Sequence, residues 1–164
     1  MDELNETTRI PFTVDPAEPE VASETLIIYG EDFEPSDVTR VLGLQPNRTW
    51  RKGERKSFVR ADGTQLAFDS LYEWNGWKMW LDESTRARQL CEQLQHWHDL
   101  LMPRAAQMRK LRDQGVNIEL NCCVITSTAT TVHISAPLQA AFSALGIDLE
   151  LTFYADESTA DLER

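Results

Sequence analysis

The chain has 164 residues and a formal net charge of −11, with 27 Asp and Glu against 16 Lys and Arg. This length favours one domain, and 41% hydrophobic residues are enough to bury a core, which excludes a wholly disordered chain. The negative charge excludes non-specific binding to DNA, RNA or anionic lipid, because phosphate groups would be repelled.

No apolar run approaches the ~20 residues that cross a bilayer. The acidic first residues have no apolar segment of the kind found in a signal peptide. Three cysteines, Cys91, Cys122 and Cys123, make a poor disulfide framework, and the adjacent pair is predicted to be buried in an apolar strand. We therefore expect a cytoplasmic protein with no membrane partner and no nucleic-acid partner.

Composition divides the chain into three parts. Residues 1–21 contain six acids, one Arg and three Pro, which predicts an acidic flexible N-terminal arm. Residues 155–164, "ADESTADLER", predict an acidic C-terminal tail. Between them, residues 22–154 are predicted to form a single α+β domain.

The domain begins with a strand and a short helix. "SETLIIYG", Ser23 to Gly30, is apolar and rich in β-formers, which is typical of a core strand. In "EPSDVTRVLGL", Ser36 is the predicted N-cap of a helix, and Gly43 is predicted to end it.

Two hairpins are predicted in the middle of the chain. The Asp62-Gly63 pair lies between two β-compatible runs in "SFVRADGTQLAF", and the Asn75-Gly76 pair occupies the same position in "SLYEWNGWKMWL". Both pairs are strong local turn signals.

Three tryptophans surround the second predicted turn. If that hairpin forms, Trp74 and Trp77 are cross-strand neighbours on one face of the strand pair. Together with Trp80 they could form a stacking platform, an exposed contact for a protein, or simply part of the core. The sequence leaves these interpretations open.

A long helical segment follows, from Ser84 as N-cap to Gly115. Pro103 should kink this helix or restart it as a second one. Its core-facing stripe is Leu90, Leu94, Trp97 and Leu101. His96 and His98 lie two apart and therefore point about 200° apart, so they cannot share a metal ion and no metal site is expected.

The C-terminal part is predicted as two neighbouring strands, "VNIELNCCVITS" and "TTVHIS", then a helix capped by Ser135 and ended by Gly146, then the strand "IDLELTFY". The order of strand, short helix and Leu-Gly occurs twice, after Leu26–Ile28 and after Val132–Ile134. We expect an α+β fold with helices packed on a mostly antiparallel sheet, and the repetition suggests a pseudo-symmetric βα repeat.

Four stretches of the domain carry a family resemblance: "TLIIYGEDFEPSDVTRVLGLQP", then "TWRKGE", then a Trp-containing strand before the long helix, and "HISAPLQAAFSALGIDLELTFY". In their order and spacing they resemble the bacterial family called domain of unknown function 4279, over about residues 23 to 154. The resemblance implies a small bacterial α+β domain with no established enzymatic activity and supplies no catalytic residues. Small domains of this kind often occur beside secreted toxins as immunity proteins.

A basic run interrupts the acidic chain. Six of the 16 Lys and Arg fall between Arg48 and Arg60 with only Glu54 among them, a local charge of +5, so the remaining residues total −16. One interpretation is an anion-binding loop in which Gly53 lets the backbone approach a phosphate or carboxylate. The other is a structural turn in which Trp50 plugs the core, Gly53 makes the turn, and the charges are solvated or meet the acidic arms. The candidate anion-binding residues are Arg48, Arg51, Lys52 and Arg55.

The functional hypotheses start from the lack of an enzyme motif. No nucleophile elbow, phosphate-binding loop, dinucleotide fingerprint or zinc-binding helix motif occurs, so we expect no catalysis and no cofactor. The first hypothesis is an immunity protein that covers the active site of a basic toxin domain. Its predicted contact residues are Asp32, Glu34, Trp77, Asp82 and Glu83. The alternative is a small anionic-ligand-binding or regulatory domain that uses the basic loop 48–60.

Overall fold

The computed structural model describes residues 21–60, 62–86, 88–126 and 132–155. Apart from the boundary residues Val21 and Ala155, the predicted N-terminal arm and C-terminal tail lie outside the described residues. The elements in chain order are β1 (Val21–Gly30), α1 (Pro35–Leu42), β2 (Arg48–Trp50), β3 (Arg55–Val59), β4 (Gln65–Leu71), β5 (Asn75–Trp80), α2 (Glu83–Arg86), α3 (Leu90–Leu101), a 3₁₀ turn (Met102–Arg104), α4 (Ala105–Asp113), β6 (Asn117–Thr126), α5 (Ala136–Leu145) and β7 (Asp148–Ala155).

Five strands form one sheet in the order β2-β5-β1-β6-β7. The central strand β1 pairs antiparallel with β5 and with β6, and β5 pairs antiparallel with β2. The exception is the parallel pair β6–β7, which the helix α5 connects. Strands β3 and β4 form a separate two-stranded ribbon. The predicted α+β fold with a mostly antiparallel sheet is confirmed.

The helices cover one face of this sheet. Along β1, Ala22, Glu24, Leu26 and Ile28 are buried, whereas the residues between them are only half-buried. The same alternation occurs along β6, and α1, α2, α3 and α5 contact the strands. The core therefore lies between these helices and the buried side of the pleat. Within the described residues, no helix lies on the opposite face, which we call the helix-free face.

The first helix begins differently from the prediction. Glu34, not Ser36, occupies the N-cap position, and Pro35 is the first helical residue. A proline is well suited there because its missing N–H has no partner in the first turn anyway. The predicted end is confirmed, since Gly43 lies in the left-handed region at φ 65°.

The long helical segment is divided more than the sequence predicts. The predicted cap at Ser84 is wrong, because Asp82 caps the short helix α2. Its carboxylate accepts hydrogen bonds from the backbone N–H of Thr85 and the hydroxyl of Ser84. The chain then leaves the helix before α3 begins at Leu90. The predicted stripe on α3 is buried, and Pro103 lies in the turn that restarts the chain as α4, as predicted.

Only the first predicted hairpin forms. β3 pairs antiparallel with β4, and between the two strands the backbone N–H of Arg60 donates to the carbonyl of Thr64. The prediction of the second hairpin is wrong, because Asn75 begins β5 instead of turning the chain. Its side-chain amide donates to the carbonyls of Glu31 and Phe33 and accepts from the N–H of Lys52. The side chain therefore joins two loops, which outweighs the local turn preference.

The C-terminal strand prediction is partly wrong. Residues 132–135 have no regular structure, and the rest of "TTVHIS" lies outside the described residues. β7 pairs with β6 instead, so the strand before α5 in the repeat is β6. A different repetition is present. In β1-α1-β2 and in β6-α5-β7, a helix that ends at a left-handed glycine connects two strands that run in the same direction.

Candidate anion-binding face

The helix-free face carries a row of residues, one from each strand. Arg48 on β2 pairs in register with Lys78 on β5, Lys78 with Ile27 on β1, Ile27 with Glu119 on β6, and Glu119 with Asp148 on β7. Residues in register on neighbouring strands point to the same face. We call these five residues the charged row: it is basic at the β2–β5 end, apolar in the centre and acidic at the β6–β7 end.

The basic end places two cations side by side. Arg48 and Lys78 are both half-buried, and neither has a carboxylate within ion-pair distance among the described residues. Burial, followed by the charge of Arg48, lowers the pKa of Lys78. Like charges in register on neighbouring strands are destabilising. An anion bound between them would remove this repulsion.

An aromatic stack lies beside the two cations. The rings of Trp50 and Tyr72 are stacked, with centroids 4.8 Å apart and an angle of 24° between their planes. The guanidinium carbon of Arg48 is 5.8 Å from the Tyr72 centroid, and Nζ of Lys56 is 5.9 Å from it. These distances are within the range of cation–π attraction. The stack thus holds a third cation next to the pair.

The Trp50–Tyr72 stack requires glycine at position 76, because glycine has no Cβ. A Cβ there would lie 2.0 Å from ring atoms of Trp50. We therefore expect Gly76→Ala to displace the indole and to lower the free energy of unfolding by about 2 kcal/mol, as overpacking does. Urea denaturation measures the loss, and near-ultraviolet circular dichroism reports the stack. Gly30→Ala is the matched control, because its nearest atoms are an ordinary 3.5 Å away. Equal stabilities of the two variants would contradict this account of Gly76.

The predicted loop residues divide into two groups. Arg51 binds Glu34 at 2.6 Å and Lys52 binds Glu31 at 3.4 Å, both as exposed ion pairs. Exposed pairs of this kind contribute little stability, yet they tie the loop to the start of α1. These two residues fit the structural-turn interpretation, but its prediction that Trp50 plugs the core is wrong, because Trp50 is half-buried on the helix-free face. Arg48 stands apart in the charged row, and Arg55 is exposed on β3.

The acidic end is a carboxyl cluster. Burial, followed by the hydrogen bond and charge of Glu150 and then by the charge of Asp148, raises the pKa of Glu119 to about 7. Hydrogen bonds from Glu119 and from Asn121, whose Nδ2 is 2.8 Å from Oε2, lower the pKa of Glu150. Burial, and then the charges of this cluster, raise the pKa of Tyr29. Each end of the charged row thus holds repelling like charges.

The predicted protein-contact residues do not form one surface. Trp77 is 0% exposed and donates its indole N–H to the hydroxyl of Thr39, so its prediction as an exposed anchor is wrong and the core interpretation is right. Trp74 is exposed and Trp80 half-buried. Because the second hairpin does not form, Trp74 and Trp77 are not cross-strand neighbours.

The four predicted acidic contact residues differ in their surroundings. Asp82 is engaged as the cap of α2, where hydrogen bonds from Ser84 and Thr85 lower its pKa to about 2, and Glu34 is paired with Arg51. Asp32 and Glu83 are exposed and form no ion pair within the described residues.

A cleft of about 880 Å³ lies between α4 and α5. Arg109, Lys110 and Arg112 line it, and Arg112 donates a hydrogen bond to the carbonyl of Gly146. The cleft is near the C-terminal ends of both helices, where the helix dipole favours cations. This position accounts for the basic residues without a ligand.

In the ranges that the structure describes, no helix is long and apolar enough to cross a membrane. Nor do three or more His, Cys, Asp or Glu side chains converge there as a metal site requires. Cys122 is buried as predicted, and burial, followed by the charge of Glu24, raises the pKa of its thiol, whereas Cys123 is only half-buried on the helix-free face.

The chain matches a known protein family. A family model described as "Domain of unknown function (DUF4279)" matches residues 21–156. The match includes all the strands and helices of the domain, and with them the whole charged row. No curated protein matches the chain.

Proposed function

Since the chain belongs to the DUF4279 family, which is defined without a function, we propose from the geometry that it is a non-catalytic binding domain in which Arg48 and Lys78 hold an anionic group of the ligand. One observation carries this proposal. The two half-buried cations lie in register without a carboxylate partner among the described residues, in a chain with 27 acids.

The surroundings of the pair favour a small anion or a single anionic side chain. The chain as a whole repels polyanions, since its net charge is −11. Arg48 can offer a planar fork of N–H donors to a carboxylate or phosphate, and Lys78 adds a point charge. Arg48 is already oriented, because its Nη2 donates to the hydroxyl of Ser57 at 3.2 Å. The proposed site is therefore partly preorganised.

Titration with inorganic phosphate and with citrate tests the proposal. We expect saturable shifts of the Trp50 and Trp80 indole signals in NMR spectra, since both rings lie on the helix-free face near the pair. Arg48→Met and Lys78→Met should each weaken binding about tenfold, because each removes a charge-assisted hydrogen bond.

Arg40→Met is the matched control. Arg40 is exposed on α1 and pairs with Asp37, so its loss should leave the anion affinity unchanged. Binding that falls equally in the control and in the two site variants would indicate general charge attraction and would contradict a site at the pair. A lack of any saturable shift would contradict the proposal as well.

An immunity protein for a basic toxin domain is the second candidate function. It is supported by Asp32 and Glu83, which are exposed without an ion pair in the described residues, and by the charge of −16 outside the basic run. Such acidity speeds encounter with a basic partner. The test is an affinity pull-down from the host at low and high salt. A single stoichiometric partner, lost at high salt and on Asp32→Lys, would support it, and no partner at either salt would contradict it. A cytoplasmic location is part of this proposal.

A further inference from the structure

The cations and the carboxyl groups of the charged row lie at opposite ends of the sheet. The order of this row across the sheet is cation, cation, Ile27, carboxyl, carboxyl. Lys78 and Glu119 are two strands apart, about 10 Å at the usual spacing of strands. The opposite charges are therefore too distant to pair within one chain. If a second row ran in the reverse order above the first, each cation would face a carboxyl group.

A two-fold axis parallel to β1 produces this reversal. It places β2 and β5 of one molecule over β7 and β6 of the other, with the helix-free faces toward each other. Sheets that pack face to face are about 10 Å apart with strands inclined by about 30°. Arg, Lys and Glu side chains from both sides can meet across such a gap. The contact is isologous and closes, which is the commonest symmetry of soluble oligomers.

We propose that the helix-free face binds a second copy of this chain, with Arg48 and Lys78 of each copy opposite Asp148 and Glu119 of the other. This inference rests on the proposed function, because it identifies the anionic group at the pair as a carboxylate of the partner copy. Charge complementarity favours a second copy as the partner, because the same face carries both the cations and the carboxyl groups that would pair with them.

Two further observations fit this occupant. Burial and then the charge of Arg48 lower the pKa of Lys78, and burial and then the hydrogen bond and charge of Glu150 raise that of Glu119. The opposite charges of the partner would relieve the part of each shift that comes from like charge. The rows on either side of the charged row contain Tyr29 and Trp80, both half-buried. These aromatic rings would supply apolar contact around Ile27 at the centre.

The expected dimer is weak. Five strands at the usual spacing make a face about 24 Å wide, and six residues along each strand make it about 20 Å long. The resulting contact is about 500 Å² on each side, which is at the low end for specific complexes. We therefore expect a dimer that depends on protein concentration and on salt.

Sedimentation of the purified chain tests the inference. We expect a dimer at low ionic strength that is weakened about tenfold as salt is raised from about 0.05 M to 0.5 M, because the ion pairs are screened. Lys78→Glu and Glu119→Lys should each be monomeric, since each places like charges opposite one another in both halves of the contact. An equimolar mixture of these two variants should form a heterodimer, because all four pairs across that contact are again opposite in charge.

Arg40→Glu, a charge reversal of the same size on α1, is the control and should dimerise like the unmodified chain. A chain that is monomeric at every concentration and salt would overturn the inference, as would a mixture that fails to associate. The two proposals fail separately. Glu119→Lys keeps the Arg48–Lys78 pair, so phosphate or citrate binding by this monomeric variant tests the anion site alone. Dimerisation without any small-anion binding would overturn only that site.

Discussion

Glu24→Gln should raise the free energy of unfolding by about 3 kcal/mol at pH 7. Glu24 is 0% exposed on the helix-covered side of β1, and neither of its carboxyl oxygens has a hydrogen-bond partner within the described residues. Burial raises its pKa from the ordinary 4.5 to about 9. The carboxyl group is therefore protonated in the folded protein at neutral pH, whereas it is ionised in the unfolded chain.

The sign of the pH dependence follows from this difference. Between pH 4.5 and about 9 the folded state holds a proton that the unfolded state releases, so stability falls as pH rises through this interval. Glutamine resembles the protonated carboxyl group and cannot ionise. The part of the decrease in unfolding free energy with rising pH that comes from residue 24 should therefore disappear. The measurement is urea denaturation at intervals from pH 4.5 to 9.

Glu92→Gln is the matched control, because Glu92 is exposed on α3. In Glu92→Gln, the unfolding free energy should depend on pH as it does in the unmodified chain. If Glu24→Gln and the control gave parallel curves, Glu24 would not be the protonated buried group described above.

Gln93→Leu should lower the free energy of unfolding by about 3 kcal/mol, because buried carbonyl groups lose their donor. Gln93 is 0% exposed on α3. Its Nε2 is 2.9 Å from the carbonyl oxygen of Ala22, 3.2 Å from that of Arg86 and 2.8 Å from that of Arg88. One amide thus joins β1, the end of α2 and the connection to α3.

Urea denaturation measures the loss, and hydrogen exchange locates it. We expect faster exchange in α2 and the start of α3, because Gln93 fixes the chain between them. Gln107→Leu on the exposed side of α4 is the control and should change stability by less than about 0.5 kcal/mol. A similar small loss in Gln93→Leu would show that the three carbonyls find other donors.

Together, the two proposals for the helix-free face predict that a small anion competes with dimer formation. If Arg48 and Lys78 bind the carboxylates of a second copy, a small anion at the same pair competes with the dimer. Citrate should then dissociate the dimer in proportion to its occupancy of the pair. The ligand and the oligomeric state would be linked through the same two side chains.

Local sequence signals determined many of the elements. The apolar, β-rich run from Ser23 to Gly30 predicts β1, and the strand is confirmed, with every second residue buried. Gly43 and Gly146 were predicted to end helices, and each adopts the left-handed conformation that glycine tolerates. These signals act within a few residues, so they can be recognised without knowing the fold. The family resemblance was confirmed over most of the chain.

The errors occurred where distant partners outweighed local preference. The Asn75-Gly76 pair is a turn signal, but the Asn75 amide binds loop backbone at Lys52 and Glu31, both more than 20 residues earlier in the chain. Ser84 is a suitable cap, but Asp82 supplies the carboxylate two residues earlier. Trp77 was a candidate contact residue until strand pairing placed it on the helix-covered side of the sheet.

The candidate site was only partly predictable. Arg48 was identified from the basic run, but Lys78, Glu119 and Asp148 carry no signal of their own in the sequence. They meet in the charged row because the strand order β2-β5-β1-β6-β7 and its register place them there. By itself, the sequence determined the fold class, the acidity and the glycine-terminated ends of α1 and α5, which depend on composition and neighbouring residues. Only the tertiary structure decided which side chains share a face, because strand pairing joins residues that are remote along the chain.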